Sequence, residues 1–146
     1  MALFVVPLLG MLAACGTPGR ASLAAEQQRL ETALEGTPGV LSREADNSLG
    51  VDVPLRSSFD RGRATVKPAL AKVLDRMAAS QRYESTHLLV KAPTDPGHKE
   101  LALGMRRAVT ARDYLIERGL DPSRFSVSAM GRNPTVKIVI TASTSP

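Results

Sequence analysis

The spacing of apolar residues along the chain alternates between that of strands and that of helices, and the order of this alternation constrains the fold more than any other feature. From residue 39 onward, stretches with an apolar residue at every second position, typical of strands, alternate with stretches at helical spacing. The pattern predicts the order β-β-α-β-α-β-β. Strands and helices that alternate in this way favour an α/β (α+β) two-layer sandwich with one exposed helical layer.

The boundaries of these elements follow from the turn residues and the apolar residues. The first two strands are predicted as a hairpin-like pair around a turn at 46–47, and Pro54 places the end of the second strand at an edge or terminus. Residues 57–62 are predicted as a loop. The rest of the prediction is a helix after Pro68, strands over 86–92, 125–129 and 136–140, and a long helix over 98–118.

The start of the chain is an uncharged apolar run that ends at the one cysteine, Cys15. The run is shorter than the roughly 20 residues that a transmembrane helix needs, and its length and small-residue ending are typical of a secretory signal peptide. Leu12-Ala13-Ala14-Cys15 resembles the lipobox of bacterial lipoproteins, in which the cysteine carries the lipid. We therefore predict a signal peptide over 1–14 and lipidation of Cys15. The alternative is a cysteine buried in an apolar N-terminal helix.

Residues 15–38 are predicted to be a lipid-anchored tether with a short amphipathic helix. Leu23, Leu30 and Leu34 lie near helical spacing, and a spacer is favoured over a self-association segment because the pattern is too short for a coiled coil. Residues 39–146 then form one domain. Since Trp is absent and aromatic residues make up 3% of the chain, its core is expected to consist of aliphatic residues and Met.

An acidic residue stands at the end of the third predicted strand, and a basic residue lies on the helix that follows. Asp95 ends the strand, and Arg107 lies on the helix. A carboxylate and the guanidinium fork together suit a ligand that carries both an ammonium and a carboxylate, such as an amino acid. The alternative from these residues alone is an ordinary salt bridge, or two solvated charges that never meet.

Five short segments occur in the order found in OmpA-like, or peptidoglycan-associated, domains, and the stretch 49–141 resembles that family. They are 58–64 ("FD-x-G-x-A"), 94–95 (the "TD" of "GHTD"), 103–108 ("LS-x-x-RA"), 114–120, and 130–134 ("G-x-G-x-x-NP"). The resemblance implies a βαβαββ sandwich, here preceded by a helix and a strand. It also implies non-covalent binding to the diaminopimelate of the peptidoglycan stem peptide, with Asp95 at the ammonium and Arg107 at the carboxylate.

The same resemblance implies a protein without catalytic activity or cofactor. Lipidated at Cys15, such a protein would sit in the outer membrane with its domain in the periplasm, and would link that membrane to the cell wall. Other envelope proteins are possible partners.

The chain departs from the family pattern around the predicted site. Asp95 and Arg107 are twelve positions apart, about three fewer than is usual in the family. Glu100 stands at the position of an Asn, and Gly104 at that of the Ser in "LS". The C-terminal arginines of the family have no counterparts. These departures favour an alternative function, a structural or protein-interaction module that has lost peptidoglycan binding.

Other function classes have little support in the sequence. The net charge of +5 comes from dispersed Lys and Arg residues without an aromatic platform, which argues against a nucleic-acid partner. His87 and His98 lack further ligands at metal-binding spacing, so no metal site is predicted. Asp95 and Glu100 could form the acid/base pair of a glycan hydrolase, but no second domain forms a cleft around them.

Overall fold

The computed structural model describes residues 18–97 and 100–142, and within them it confirms the predicted α/β sandwich. The order β-β-α-β-α-β-β is observed, with a helix before it and a one-turn helix after the second strand. The predicted signal peptide, Cys15 and His98 lie outside the described residues. The helices are α1 Pro18–Leu34, α2 Leu55–Ser58, α3 Pro68–Gln81 and α4 Ala102–Glu117, and the strands are β1 Val40–Arg43, β2 Leu49–Pro54, β3 His87–Thr94, β4 Phe125–Arg132 and β5 Thr135–Thr141.

The five strands form one sheet in the order β1-β2-β5-β3-β4. Neighbouring strands are antiparallel except β3 and β4, which are parallel and joined through α4. Every second residue of the central strands is fully buried, so one face of the sheet carries the core. The strand residues that form the apolar core are Leu49, Val51, Val53, Leu88, Val90, Ala92, Val136, Ile138 and Ile140.

Several boundaries differ from the sequence prediction, and β4 continues three residues beyond it, to Arg132. Part of the predicted loop at 57–62 is the end of α2, because Ser58 Oγ donates to the Pro54 carbonyl at 2.8 Å and Phe59 N donates to the Leu55 carbonyl at 3.0 Å. Strand β3 continues two residues beyond the prediction, to Thr94. A turn at 96–97 then separates it from α4, which begins four residues later than predicted. Asp95 therefore lies directly at the end of a strand.

Helix α1 packs against α3, and its apolar residues belong to the core. Leu30 and Leu34 are buried together with residues of α3 and the sheet. Glu26 of α1 is also buried, and it accepts hydrogen bonds from Gln81 Nε2 at the end of α3 and from Arg29. The segment predicted as a spacer is thus part of the folded unit.

The buried contact between α1 and α3 continues into the sheet through Arg124. This side chain donates to the Gln81 carbonyl at 2.7 Å and to the Thr86 carbonyl at 2.8 Å. Burial lowers the pKa of Arg124, while the carboxylates of Glu84 and Glu26 oppose that shift. The network therefore joins α1, α3 and the beginning of β3.

Helix α4 lies unusually close to the end of β3 because residue 104 is glycine. A Cβ at Gly104 would come within 2.7 Å of the Ala92 carbonyl oxygen, closer than a real Cβ contact. The family's Ser would not fit here without a backbone shift. Glycine thus allows α4 to approach the strand end that carries Asp95. In the described part of the chain, no helix is long and apolar enough to cross a membrane.

Candidate functional site

The structure brings Asp95 and Arg107 into direct contact at the end of β3. Arg107 Nη2 lies 2.7 Å from Asp95 Oδ1, and the two residues are 0% and 4% exposed. Arg107 reaches the strand end from the second turn of α4, and the close approach at Gly104 makes that reach short. The pair is therefore a buried, charge-assisted contact and not two solvated charges.

The guanidinium of Arg107 is held by protein groups on every nitrogen. Nε donates to the Arg63 carbonyl at 2.8 Å, Nη1 donates to the Pro93 carbonyl at 3.1 Å, and Nη2 donates to the Asp60 carbonyl at 3.1 Å. The Phe59 ring lies below it, with its centroid 5.3 Å from Cζ. Such a cation is well compensated despite burial, and it fixes three backbone segments relative to one another.

The loop after α2 wraps around the carboxylate of Asp95. Gly62 N donates to Asp95 Oδ2 at 2.6 Å. Gly62 has a φ of 70°, a backbone conformation that residues other than glycine rarely adopt. The motif "FD-x-G" thus has a local reason: Phe59 packs on the guanidinium, Asp60 offers its carbonyl and Gly62 turns its N–H to the carboxylate. The motif is recognisable in the sequence, but its contacts with Asp95 and Arg107 are not.

An open pocket of about 740 Å³ lies over this pair. Asp95 contributes to its lining, whereas Arg107 lies below the lining. Asp60 also lines the pocket, and its carboxylate pairs with Lys67 Nζ at 3.2 Å. The lining residues are Leu55, Arg56, Phe59, Asp60, Arg61, Thr94, Asp95, Pro96, Arg132, Asn133 and Pro134.

Thr94 brings an unsatisfied hydroxyl to the same place. Across residues 23–97 and 100–142, whose side chains the structure describes, its Oγ1 is the one buried side-chain oxygen or nitrogen without a hydrogen-bond partner. Leaving such a group unpaired costs about 1–3 kcal/mol. Thr94 lines the pocket next to Asp95.

The other residues weighed from the sequence lie outside this arrangement. Glu100 is exposed, and His87 Nε2 lies 2.9 Å from Ser126 Oγ on the neighbouring strand. Among the described residues there is no cluster of three or more His, Cys, Asp or Glu side chains that could hold a metal ion.

The fold is an α/β sandwich with a buried Asp–Arg pair at a strand end, and residues 58–144 match the OmpA family. The chain belongs to the OmpA family.

The chain is 31% identical over 110 residues to a protein of Escherichia coli (strain K12) named "Probable lipoprotein YiaD", covering 73% of this chain and 50% of that protein. It thus spans half the length of that relative. It is 28% identical over 138 residues to the peptidoglycan-associated lipoprotein of Mesorhizobium japonicum, covering 92% of this chain and 80% of the relative.

Solved structures share the fold at low identity. The cell wall anchor of the T6SS from Pseudomonas aeruginosa superposes with a TM-score of 0.65 at 18% identity, covering 80% of this chain and 96% of the anchor. The periplasmic domain of Helicobacter pylori MotB superposes with a TM-score of 0.61 at 20% identity, covering 74% of this chain and 82% of that domain. These structures support the OmpA-like fold.

Proposed function

We propose that this protein binds peptidoglycan non-covalently through the pocket over Asp95, without catalysing a reaction. The observation that carries the proposal is a strand-end carboxylate that is held in one orientation by Arg107 and Gly62 and lines an open pocket. The names of the relatives support it, since one is a peptidoglycan-associated lipoprotein and one structural neighbour is a cell wall anchor.

In the proposed complex, Asp95 accepts a hydrogen bond from the free ammonium of a diaminopimelate residue in the stem peptide. Each carboxylate oxygen has two acceptor directions, so an oxygen already bonded to Arg107 or Gly62 can still accept from a ligand. Arg107 Nη2 and Gly62 N hold the carboxylate of Asp95 in one orientation.

The first test is Asp95→Asn, measured by co-sedimentation with purified sacculi. Asparagine keeps the volume of the side chain but removes its charge. We expect binding to weaken about 10- to 100-fold, the range for a lost charge-assisted hydrogen bond.

The matched control is Asp113→Asn, which removes one exposed carboxylate on α4 outside the pocket and should bind sacculi like the parent protein. A thermal melt of each variant separates a loss of binding from a loss of fold. Parent-like binding by a folded Asp95→Asn variant would contradict the assigned site.

We further propose that a lipid on Cys15 anchors the protein in the outer membrane, with the domain in the periplasm. The support is the lipobox-like sequence together with relatives named as lipoproteins. In cells labelled with a radioactive fatty acid, the parent should incorporate label and Cys15→Ser should not. Label in the Cys15→Ser protein would show that the lipid is attached elsewhere.

The alternative is a structural or interaction module that has lost this ligand. The buried ion pair of Asp95 and Arg107 favours this alternative, because every guanidinium nitrogen of Arg107 donates to an oxygen of the protein itself. The two functions are separated by the parent protein: failure to sediment with sacculi at any concentration would favour the alternative.

A further inference from the structure

The mouth of the pocket carries arginines that have no charged partner. Arg56, Arg61 and Arg132 all line the pocket and are exposed. Among the described residues, none of the three side chains forms an ion pair or a hydrogen bond. Elsewhere on this surface cations do find partners, as Lys67 does with Asp60 and Arg118 does with Asp75.

The acidic residues of the pocket do not offset these charges. Asp95 is neutralised by Arg107, and Asp60 pairs with Lys67. The three arginines therefore leave the mouth of the pocket positively charged, above a floor whose charges are balanced. A pocket with this distribution favours a ligand that brings carboxylates to its mouth.

Two of the three arginines are fixed next to Asp95 by the backbone. Arg132 lies opposite Thr94 in the pairing of β4 with β3, so its Cα is beside the strand end. Arg61 directly precedes Gly62, whose N–H bonds the carboxylate of Asp95. Both side chains can therefore reach a group that lies close to an ammonium on Asp95, whereas Arg56 belongs to α2.

Resting on the proposed function, we propose that Arg61 and Arg132 bind the ligand's carboxylate, the role that the resemblance assigns to Arg107. Arg107 has no exposed surface and donates from each of its nitrogens to the protein, so it serves as the positioning residue for Asp95. The ligand is an acidic peptide with an ammonium beside a free carboxylate, and the guanidinium forks of Arg61 and Arg132 match that carboxylate.

The test compares Arg61→Gln/Arg132→Gln with Arg76→Gln/Arg106→Gln in co-sedimentation with purified sacculi. Arg76 and Arg106 are exposed and lie outside the pocket, so the control removes the same two charges from the same protein. The second probe is the same sacculi after their carboxyl groups have been converted to amides with a carbodiimide and ammonium.

We expect the Arg61/Arg132 variant to bind native sacculi about tenfold more weakly than the parent, and the control variant to bind within about twofold of it. The parent should bind amidated sacculi about tenfold more weakly than native sacculi. The Arg61/Arg132 variant should bind the two kinds of sacculi with nearly the same affinity. All proteins should unfold at similar temperatures, because these exposed side chains form no hydrogen bond or ion pair within the part of the chain that the structure describes.

Equal binding by the two double variants would overturn the role of Arg61 and Arg132, even though the parent still bound sacculi. Parent binding that is unchanged by amidation would overturn carboxylate recognition in the same way. Absence of parent binding to native sacculi would overturn the proposed function itself, and with it this inference. The inference is supported if, of the two double variants, only Arg61→Gln/Arg132→Gln binds native sacculi weakly. The parent must also bind amidated sacculi as weakly as that variant binds native sacculi.

Discussion

Replacing Arg107 with methionine is expected to lower the free energy of unfolding by about 3–5 kcal/mol, the range for removing one partner of a buried ion pair. Methionine fills similar space but leaves the carboxylate of Asp95 buried without its cation. It also leaves the carbonyls of Asp60, Arg63 and Pro93 without their donor. The loop that carries Gly62 would lose its attachment to α4 at the same time.

Denaturant unfolding followed by circular dichroism measures this change, with Arg106→Met as the control. Arg106 is the exposed neighbour of Arg107, so its replacement should change stability by no more than about 0.5 kcal/mol. Arg107→Lys restores a charge without the planar fork and should recover only part of the loss. A loss below about 1 kcal/mol for Arg107→Met would mean that the buried pair is not a structural centre of the site.

The second large effect is expected at the contact of α1 with α3. Glu26→Ala should lower the free energy of unfolding by about 2–3 kcal/mol, because it leaves the buried amide of Gln81 without its main acceptor and removes one of the two carboxylates that pair with Arg29. The change should also raise hydrogen exchange in α1, since the helix loses its buried hydrogen bond to α3.

The matched control is Glu31→Ala, which removes an exposed carboxylate from the same helix. It should leave both stability and hydrogen exchange close to those of the parent. If Glu26→Ala and Glu31→Ala had the same small effect, α1 would behave in solution as a separate spacer.

The order and the type of the helices and strands could be predicted because the apolar residues recur at regular spacing. Strands β2, β3 and β5 bury every second residue, and the long helices bury stripes at helical spacing, so local pattern and tertiary environment agree. The ends of elements were less predictable because they depend on contacts distant in sequence. Leu55, for example, leaves the strand where its N–H bonds the Pro134 carbonyl.

The sequence predicts that Asp95 and Arg107 belong to one site, but it does not predict how the surrounding loop contacts them. Strand-end and helix positions brought Asp95 and Arg107 within reach of each other, as the sequence pattern indicates. That Arg107 would be covered depends on the loop at 59–63, which supplies carbonyls and a ring from more than 40 positions away in the chain. No local pattern shows which way such a loop folds. The docking of α1 was missed for a related reason, since Glu26 looks like a solvated residue until Gln81 is placed beside it.

The attachment of α1 has a mechanical consequence. Glu26 contacts the domain beside the residues that lead into β3, whereas Asp95 follows the last residue of β3. The two points are therefore separated by about the length of that strand, ~26 Å for eight residues. If the proposed lipid and the proposed ligand both hold the protein, β3 lies between the two attachments. A force component along β3 would then act across the hydrogen bonds that join it to β5, because those bonds are perpendicular to antiparallel strands.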